Sequence, residues 1–354
     1  MLKKEHLEIL MRPYGIDVSQ LEFIQCSQNY VYKVCDDDGC RIVRVCRGRY
    51  RRESEVAAEL EWIRYLVEQG IKVCQPILSN EGKLFHSFNI DGEVSIVTVF
   101  EHAPGVAMHR RFADEATFEK LGHLTGRMHA IASNASEFER DDGPLSRPLW
   151  NESRLLNEDF DACRAVLSKE FLAGVKTLIH DLTAIPKNTD SFGLLHGDIH
   201  SNNLFEDKGE LWIYDFDNCE YGYFVQDLAT ILWDSIYCKE LNKFADDGLN
   251  DRIRPLWKAL LKGYAETSPM KELNLEHLEK FFLLREAIIY VHFHMTLNLS
   301  EAPESFHQGL DVMRRNVETQ SHQVDFSLIS KHQKHIKIVI TPPCVTSRSI
   351  DNKQ

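Results

Sequence analysis

The chain of 354 residues lacks any apolar run that approaches the length of a membrane span. Its start, Met-Leu-Lys-Lys-Glu-His, leads into mixed polar sequence without the apolar core of a signal peptide. The expectation is a soluble, cytoplasmic protein that neither crosses nor sits in a membrane. A basic surplus is missing too: the formal net charge is -13. That excludes a general nucleic-acid binder, which needs a broad basic surface. Any polyanionic ligand must then meet a local basic cluster, against the field of the whole chain. None of the nine cysteines stands in a C-x-x-C pair, which fits free thiols in a reducing compartment better than a disulfide framework. Cys35 and Cys40 flank a hairpin turn, but a zinc site there would need two further ligands that the sequence does not supply. There is no internal repeat.

What the chain does have is concentrated between Leu194 and Asp217, LLHGDIHSNNLFEDKGELWIYDFD. His196-Gly197-Asp198 is followed by Asn203 and then by Asp215-Phe216-Asp217. Between them, Asp207-Lys208-Gly209-Glu210 reads as a hairpin turn, and Leu211 to Tyr214 as a short strand running into the triplet. An acidic loop and an acidic strand end are thereby brought together. Phosphoryl transfer from a nucleotide needs an acceptor for the proton of the attacking hydroxyl and oxygen ligands that hold Mg²⁺ against the phosphates. Mg²⁺ takes one or two carboxylates and completes its octahedron with water and phosphate oxygens. Asp198 is the candidate base; Asn203 and Asp215 are the candidate metal ligands. The bland alternative, polar residues that merely cap turns, leaves their order and spacing unexplained. Asp198-Ile199-His200 alone imitates a D-x-H motif of metal-dependent phosphoesterases, but the Gly-Asp, Gly-Asn-His and Gly-His-x-His clusters that such enzymes add downstream do not occur.

The spacing resembles the H-R-D-x-x-x-x-N and D-F-G elements of protein kinases. It is more similar to the signature of the aminoglycoside phosphotransferase and homoserine/choline kinase-like family, H-G-D-x-H-x-x-N followed by a hydrophobic residue and D-[FW]-[DE]. Leu195, His196 to Asp198, His200, Asn203 and Tyr214 to Asp217 carry the match. Asp227, in Asp-Leu-Ala, resembles the family element that starts a helix and holds the catalytic-loop backbone. The resemblance implies an α+β, bilobal protein-kinase-like fold: a small β-rich nucleotide lobe over residues 1–102, a mainly helical catalytic and substrate lobe over 103–320, and a tail over 321–354. It also implies ATP and Mg²⁺ in the cleft, with His196, His200, Asp217 and Asp227 supporting the site.

Taken in order, residues 3–14 read as a short helix, followed by strands at Leu21–Cys26, Tyr30–Cys35 and Cys40–Cys46, the last two joined by a tight turn ending in Asp38-Gly39. Ser27-Gln28-Asn29 occupies the place of a glycine-rich phosphate loop, so amides near Ser27 and Asn29 are candidates to face the phosphates. Arg44 stands where the resemblance places a phosphate-pairing lysine, between Val43 and Val45, with the alternation expected of a cleft-facing residue. Arg47 to Arg52 reads as a solvated charge run. Glu53–Gln69 has strong helical periodicity, and Glu59 falls where the fold would pair it with Arg44. Further strands are expected at Ile71–Leu78, Lys83–Asn89 and Glu93–Phe100, leading to Glu101 and His102, where the resemblance places the hinge between lobes and makes their main-chain atoms candidates for the adenine edge.

Helices are expected from Asp114, with His129 as a buried polar contact, over Ser153–Leu182, and in three further segments to Arg315. Ile336–Ile340 is a candidate edge strand in a loose tail. Trp150, Trp233, Asp234, Tyr237, Glu286 and Tyr290 are candidates for either core or acceptor contacts. The function expected is transfer of the γ-phosphoryl group to a hydroxyl of a small molecule such as an amino alcohol, a homoserine-like compound or an aminoglycoside. A protein serine/threonine kinase and a nucleotide-binding pseudo-enzyme are the alternatives.

Overall fold

A computed structural model describes residues 2–326 except 38, 109–113, 136–146, 238–248, 269–274, 276 and 323. The chain opens with α1 (Lys4–Met11), then β1 (Glu22–Cys26), β2 (Asn29–Asp36), β3 (Gly39–Arg47), α2 (Glu53–Glu68), β4 (Pro76–Ile77), β5 (His86–Ile90) and β6 (Glu93–Glu101). These strands form one antiparallel sheet in the order β1-β2-β3-β6-β4, with β5 also pairing β6. Alternation along β3 decides how the sheet is used. Val43 and Val45 face the cluster built with Leu10, Met11 and Tyr14 of the N-terminal segment, while Cys46 faces the other way and packs with Val56, Leu60 and Ile63 of α2. That second face is continuous with the core of the larger lobe.

The larger lobe begins with β7 (Val106–Ala107) and α3 (Glu115–Asn134), capped by the Asp114 carboxylate on the Thr117 amide. It continues with α4 (Glu158–Cys163), α5 (Lys169–Thr183), β8 (Phe192–Leu195), β9 (Leu204–Asp207), β10 (Glu210–Ile213), β11 (Glu220–Tyr223), α6 (Phe224–Tyr237), α7 (Leu249–Thr267), α8 (Leu278–Thr296) and α9 (Glu304–Thr319). Two small sheets, β10-β9-β7 and β11-β8, hold the loops of interest against the helices. α3 and α7 cross at Gly122 and Gly263, where a Cβ on either would run into the other helix's backbone. A parallel bridge from Val73 to Ile213 ties the lobes together.

Four expectations change. Only Pro76–Ile77 of the expected Ile71–Leu78 strand pairs with the main sheet, because Val73 is drawn instead to β10. The expected helix Ser153–Leu182 is broken into 3-10 turns, α4 and α5, since Ser168 restarts the chain as an N-cap that accepts from the Phe171 amide. α9 adds a helix beyond the three expected. Cys35 and Cys40 are not free thiols: directly opposed in β2 and β3, with Cα atoms 4.1 Å apart, they form a disulfide across the hairpin. The described Cys26, Cys46, Cys74, Cys163 and Cys219 are free. The expected strand at Ile336–Ile340 lies outside the described residues. No helix among the described residues is long and apolar enough to cross a membrane.

Candidate active site

The segment from His196 to Asn203 links β8 to β9, and the segment from Tyr214 to Cys219 links β10 to β11; both turn back at the base of one cavity. Gly197 has φ 78°, and a Cβ there would collide with the Asn218 carbonyl, so the first loop can lie against the second only with glycine at that place. Asp227, fully buried at the start of α6, accepts from the amides of His196 (3.2 Å) and Gly197 (2.9 Å). His129 holds the same carboxylate at 3.2 Å and the Tyr264 hydroxyl at 2.8 Å, which makes it the buried polar contact expected of it. His196 places Nε2 3.1 Å from the Tyr214 carbonyl and accepts from the Asp198 amide at Nδ1. Burial lowers its pKa. The neutral Nε2–H tautomer follows from these two partners.

Asp198 faces the cavity. One carboxylate oxygen is paired with Arg285 of α8; the other accepts from Asn218 Nδ2 at 3.4 Å and lies 3.6 Å from His200 Nε2. Burial alone would raise its pKa, but Arg285 and then His200 hold it well below the usual carboxylate range. Asn203 donates from Nδ2 to the Asp198 carbonyl (3.1 Å), and its own carbonyl accepts from the Tyr214 amide (3.2 Å). The residue therefore joins the first loop to the strand end that carries Asp215. Asp215 is in the left-handed region at φ 65° and turns its carboxylate into the cavity. Its surface is exposed, yet it lies within a concave cleft. Desolvation by the cleft walls, then the neighbouring Asp217, pushes its pKa up to about 6, with Arg44 opposing.

On the opposite wall, Arg44 makes a bidentate pair with Glu59, both bonds 2.7 Å, with 6% and 1% of the two residues exposed. The guanidinium also stacks over Phe100 at 5.0 Å and reaches Asp217 at 4.0 Å. Asp217 is buried among Arg51 (3.3 Å), Arg44 and the Asn29 amide (3.2 Å). Burial works against ionisation there, but Arg51, Arg44 and Arg147 bring its pKa down to about 2. Ser27 and Asn29 line the cavity, but the Ser27 amide is committed to the Asn29 carbonyl and the Asn29 side chain to Asp217. At the hinge, the Glu101 amide donates to Gln75 and the His102 amide to Cys40; Ala103 lines the same wall.

Sequence reasoning missed the cations that tie this site together. Arg51, read as part of a solvated run, is buried against Asp217 and Asn218. Arg47, in the same run, donates to the Ser27 and Gln28 carbonyls. Arg147 donates to the carbonyls of Glu55, Asp217 and Cys219, and Arg285 pairs with Asp198. Of the late candidates, Trp233 and Asp234 line the cavity; Trp150, Tyr237, Glu286 and Tyr290 are buried elsewhere in the core.

The cavity, about 630 Å³, runs between the lobes and takes in Arg44, Asp198 and Asp215. A sequence model described as the phosphotransferase enzyme family matches residues 25–262. The chain belongs to this family. Like its members, this phosphotransferase moves a phosphoryl group to a hydroxyl acceptor. It is 26% identical over 322 residues to the amicoumacin kinase of Bacillus subtilis (strain 168), covering 89% of this chain and 93% of that one. It is 27% identical over 221 residues to stress response kinase A of Escherichia coli (strain K12), covering 62% and 65%. The solved amicoumacin kinase hAmiN, in complex with AMP-PNP, Ca²⁺ and Ami, superposes with a TM-score of 0.82 at 25% identity, over 93% of this phosphotransferase and 98% of that chain. The bilobal protein-kinase-like fold expected from the sequence is therefore present.

Proposed function

We propose that the chain transfers the γ-phosphoryl group of ATP, bound with Mg²⁺, to a hydroxyl of a small molecule, with residues 1–102 holding the nucleotide and 103–320 supplying catalysis and acceptor binding. The observation that carries this is that Asp198 and Asp215 line one cavity with the Arg44–Glu59 pair, while Asn203, buried beside them, donates to the Asp198 carbonyl. Asp198 takes the proton of the attacking hydroxyl and orients it. Asn203, with its amide nitrogen already committed to Asp198, has its oxygen left for the metal. Arg44, fixed by Glu59, faces the phosphates, and the turn at Ser27 and Asn29 lies over them. Glu101, His102 and Ala103 border the adenine. His196, His200, Asp217 and Asp227 keep the two loops in register.

The donor set fits a divalent cation. Among the described residues Asp215 has no protein partner for its carboxylate, and its raised pKa marks a place where a cation is favoured. No group of three or more His, Cys, Asp or Glu side chains among the described residues could hold a metal alone. That suits Mg²⁺, which takes few protein ligands and fills its shell with phosphate and water. When bound, the ion neutralises the charge of the phosphates.

Amicoumacin heads the acceptors to be tried, followed by amino alcohols, homoserine-like compounds, aminoglycosides and a generic protein acceptor. The test is ADP release with mass detection of the phosphorylated product, with and without EDTA. Small-molecule transfer that EDTA stops and Mg²⁺ restores supports the reading. A phosphorylated protein product with no small-molecule transfer selects the protein-kinase alternative, and ATP untouched by every acceptor overturns the reading. The kinship with stress response kinase A is why the protein arm is included. Placement in the cytoplasm belongs to this proposal as well.

A further inference from the structure

α6 and α8 build the part of the cavity wall that holds Trp233, Asp234, Arg285, Ile288, Ile289 and Phe293. Its charges are nearly all matched. Arg285 lies against Asp198, and His200 is 3.6 Å from the same carboxylate. His292, also on this wall, is kept towards its neutral form chiefly by burial. Asp234 differs. One of its oxygens accepts from the Ser201 amide at 2.7 Å; the other has no hydrogen-bond partner among the described residues, although the residue is 1% exposed and His200 is the nearby group that feels its charge. Trp233 Nε1 and Arg285 Nε are likewise buried without a partner among the described residues, and the Arg285 guanidinium lies 5.5 Å from the Trp233 ring centre. Buried polar atoms are normally satisfied, so a cluster of orphans on a cavity wall points to a ligand that supplies what is missing.

We infer that this wall takes an acceptor with an apolar body and a single ammonium or N–H donor for Asp234, and that Arg285 is the specificity-determining residue that turns polycations away. The class follows from counting partners. An acceptor with several ammonium groups needs several uncompensated carboxylates, because each unpaired charge that leaves water is costly. Arg285 removes Asp198 from that count. Ile288, Ile289 and Phe293 offer the remaining ammonium groups nothing. The acceptor's hydroxyl goes to Asp198, so this assignment rests on the phosphotransfer reading for the reaction, but not for the binding preference.

The test is calorimetric titration of the full chain saturated with AMP-PNP. Propranolol, a single-amine alcohol with an aromatic body, is compared with kanamycin, a polyamino aminoglycoside. Wild type is expected to bind propranolol at least tenfold more tightly. Arg285→Met should narrow that ratio at least threefold by strengthening kanamycin, whereas Arg285→Lys should preserve it. Trp233→Ala, which leaves the ion pair intact, should weaken propranolol more than kanamycin and serves if Arg285→Met does not fold. Equal or tighter binding of kanamycin by wild type overturns the inference, as does an unchanged ratio in a folded Arg285→Met. Turnover separates the two readings. A chain that phosphorylates nothing yet shows the binding preference sinks phosphotransfer alone; one that phosphorylates kanamycin as well as propranolol sinks this inference alone.

Discussion

Asp198, the base of the proposed reaction, has both carboxylate oxygens already engaged, one by Arg285 and the other by Asn218 and His200. Asp198→Asn is expected to lower turnover by about a hundredfold or more, the scale of general-base contributions, with nucleotide affinity kept. Asp215→Ala should instead weaken Mg·ATP binding. Steady-state kinetics beside nucleotide titration separates the two, and equal losses of affinity would contradict the division. Glu59→Ala leaves Arg44 buried without its partner, which costs about 3–5 kcal/mol of stability and should loosen ATP binding; chemical denaturation and titration read the two effects. Glu220 offers a pH test away from the chemistry. Burial pushes its pKa up to about 8, despite a 2.6 Å bond from Gln226. The folded chain thus favours the neutral acid: the stabilisation is complete below the ordinary value of 4.5 and is lost as pH rises through about 8. Glu220→Gln, which stays neutral, should flatten the fall in melting temperature between pH 5 and pH 9. Every tenfold difference in proton affinity between the folded and unfolded chains is worth about 1.4 kcal/mol.

Among the elements, those with a local signature were legible in the sequence. β2 and β3 announced themselves by alternation around an Asp-Gly turn, α2 by its apolar stripe, and β9 and β10 by their hairpin. The break between α4 and α5 was also written locally, in Ser168 and the residues after it, but the apolar positions on either side keep a helical period across it. α9 carries Leu310, Met313 and Val317 on one buried face, a stripe too narrow to stand out among charged neighbours. The two loops of the site were readable because their residues lie close in sequence. Their arginine partners were not: Arg147, Arg285 and Arg51 meet their partners across 70, 87 and 166 positions. Nothing local distinguishes such an arginine from one in solvent. Close helix packing yields a prediction of its own. Gly122→Ala must push α3 from α7 and should destabilise the chain by about 1–3 kcal/mol, the range for overpacking, as measured by urea denaturation.

In the whole molecule, the lobes meet through more than the hinge. Arg51, just ahead of α2, holds Asp217 and Asn218, and Arg147 of the larger lobe reaches back to the Glu55 carbonyl in α2. α2 also shares its apolar face with the large core, so Glu59 stays at Arg44 without help from any added group. Arg147→Met should raise amide exchange in α2 and lower kcat together, since it frees carbonyls on both sides of the cleft. A catalyst latched in this way has no resting pose to leave. Its output should rise in simple proportion to the number of copies made, and any throttle would have to be applied at synthesis or through the supply of acceptor.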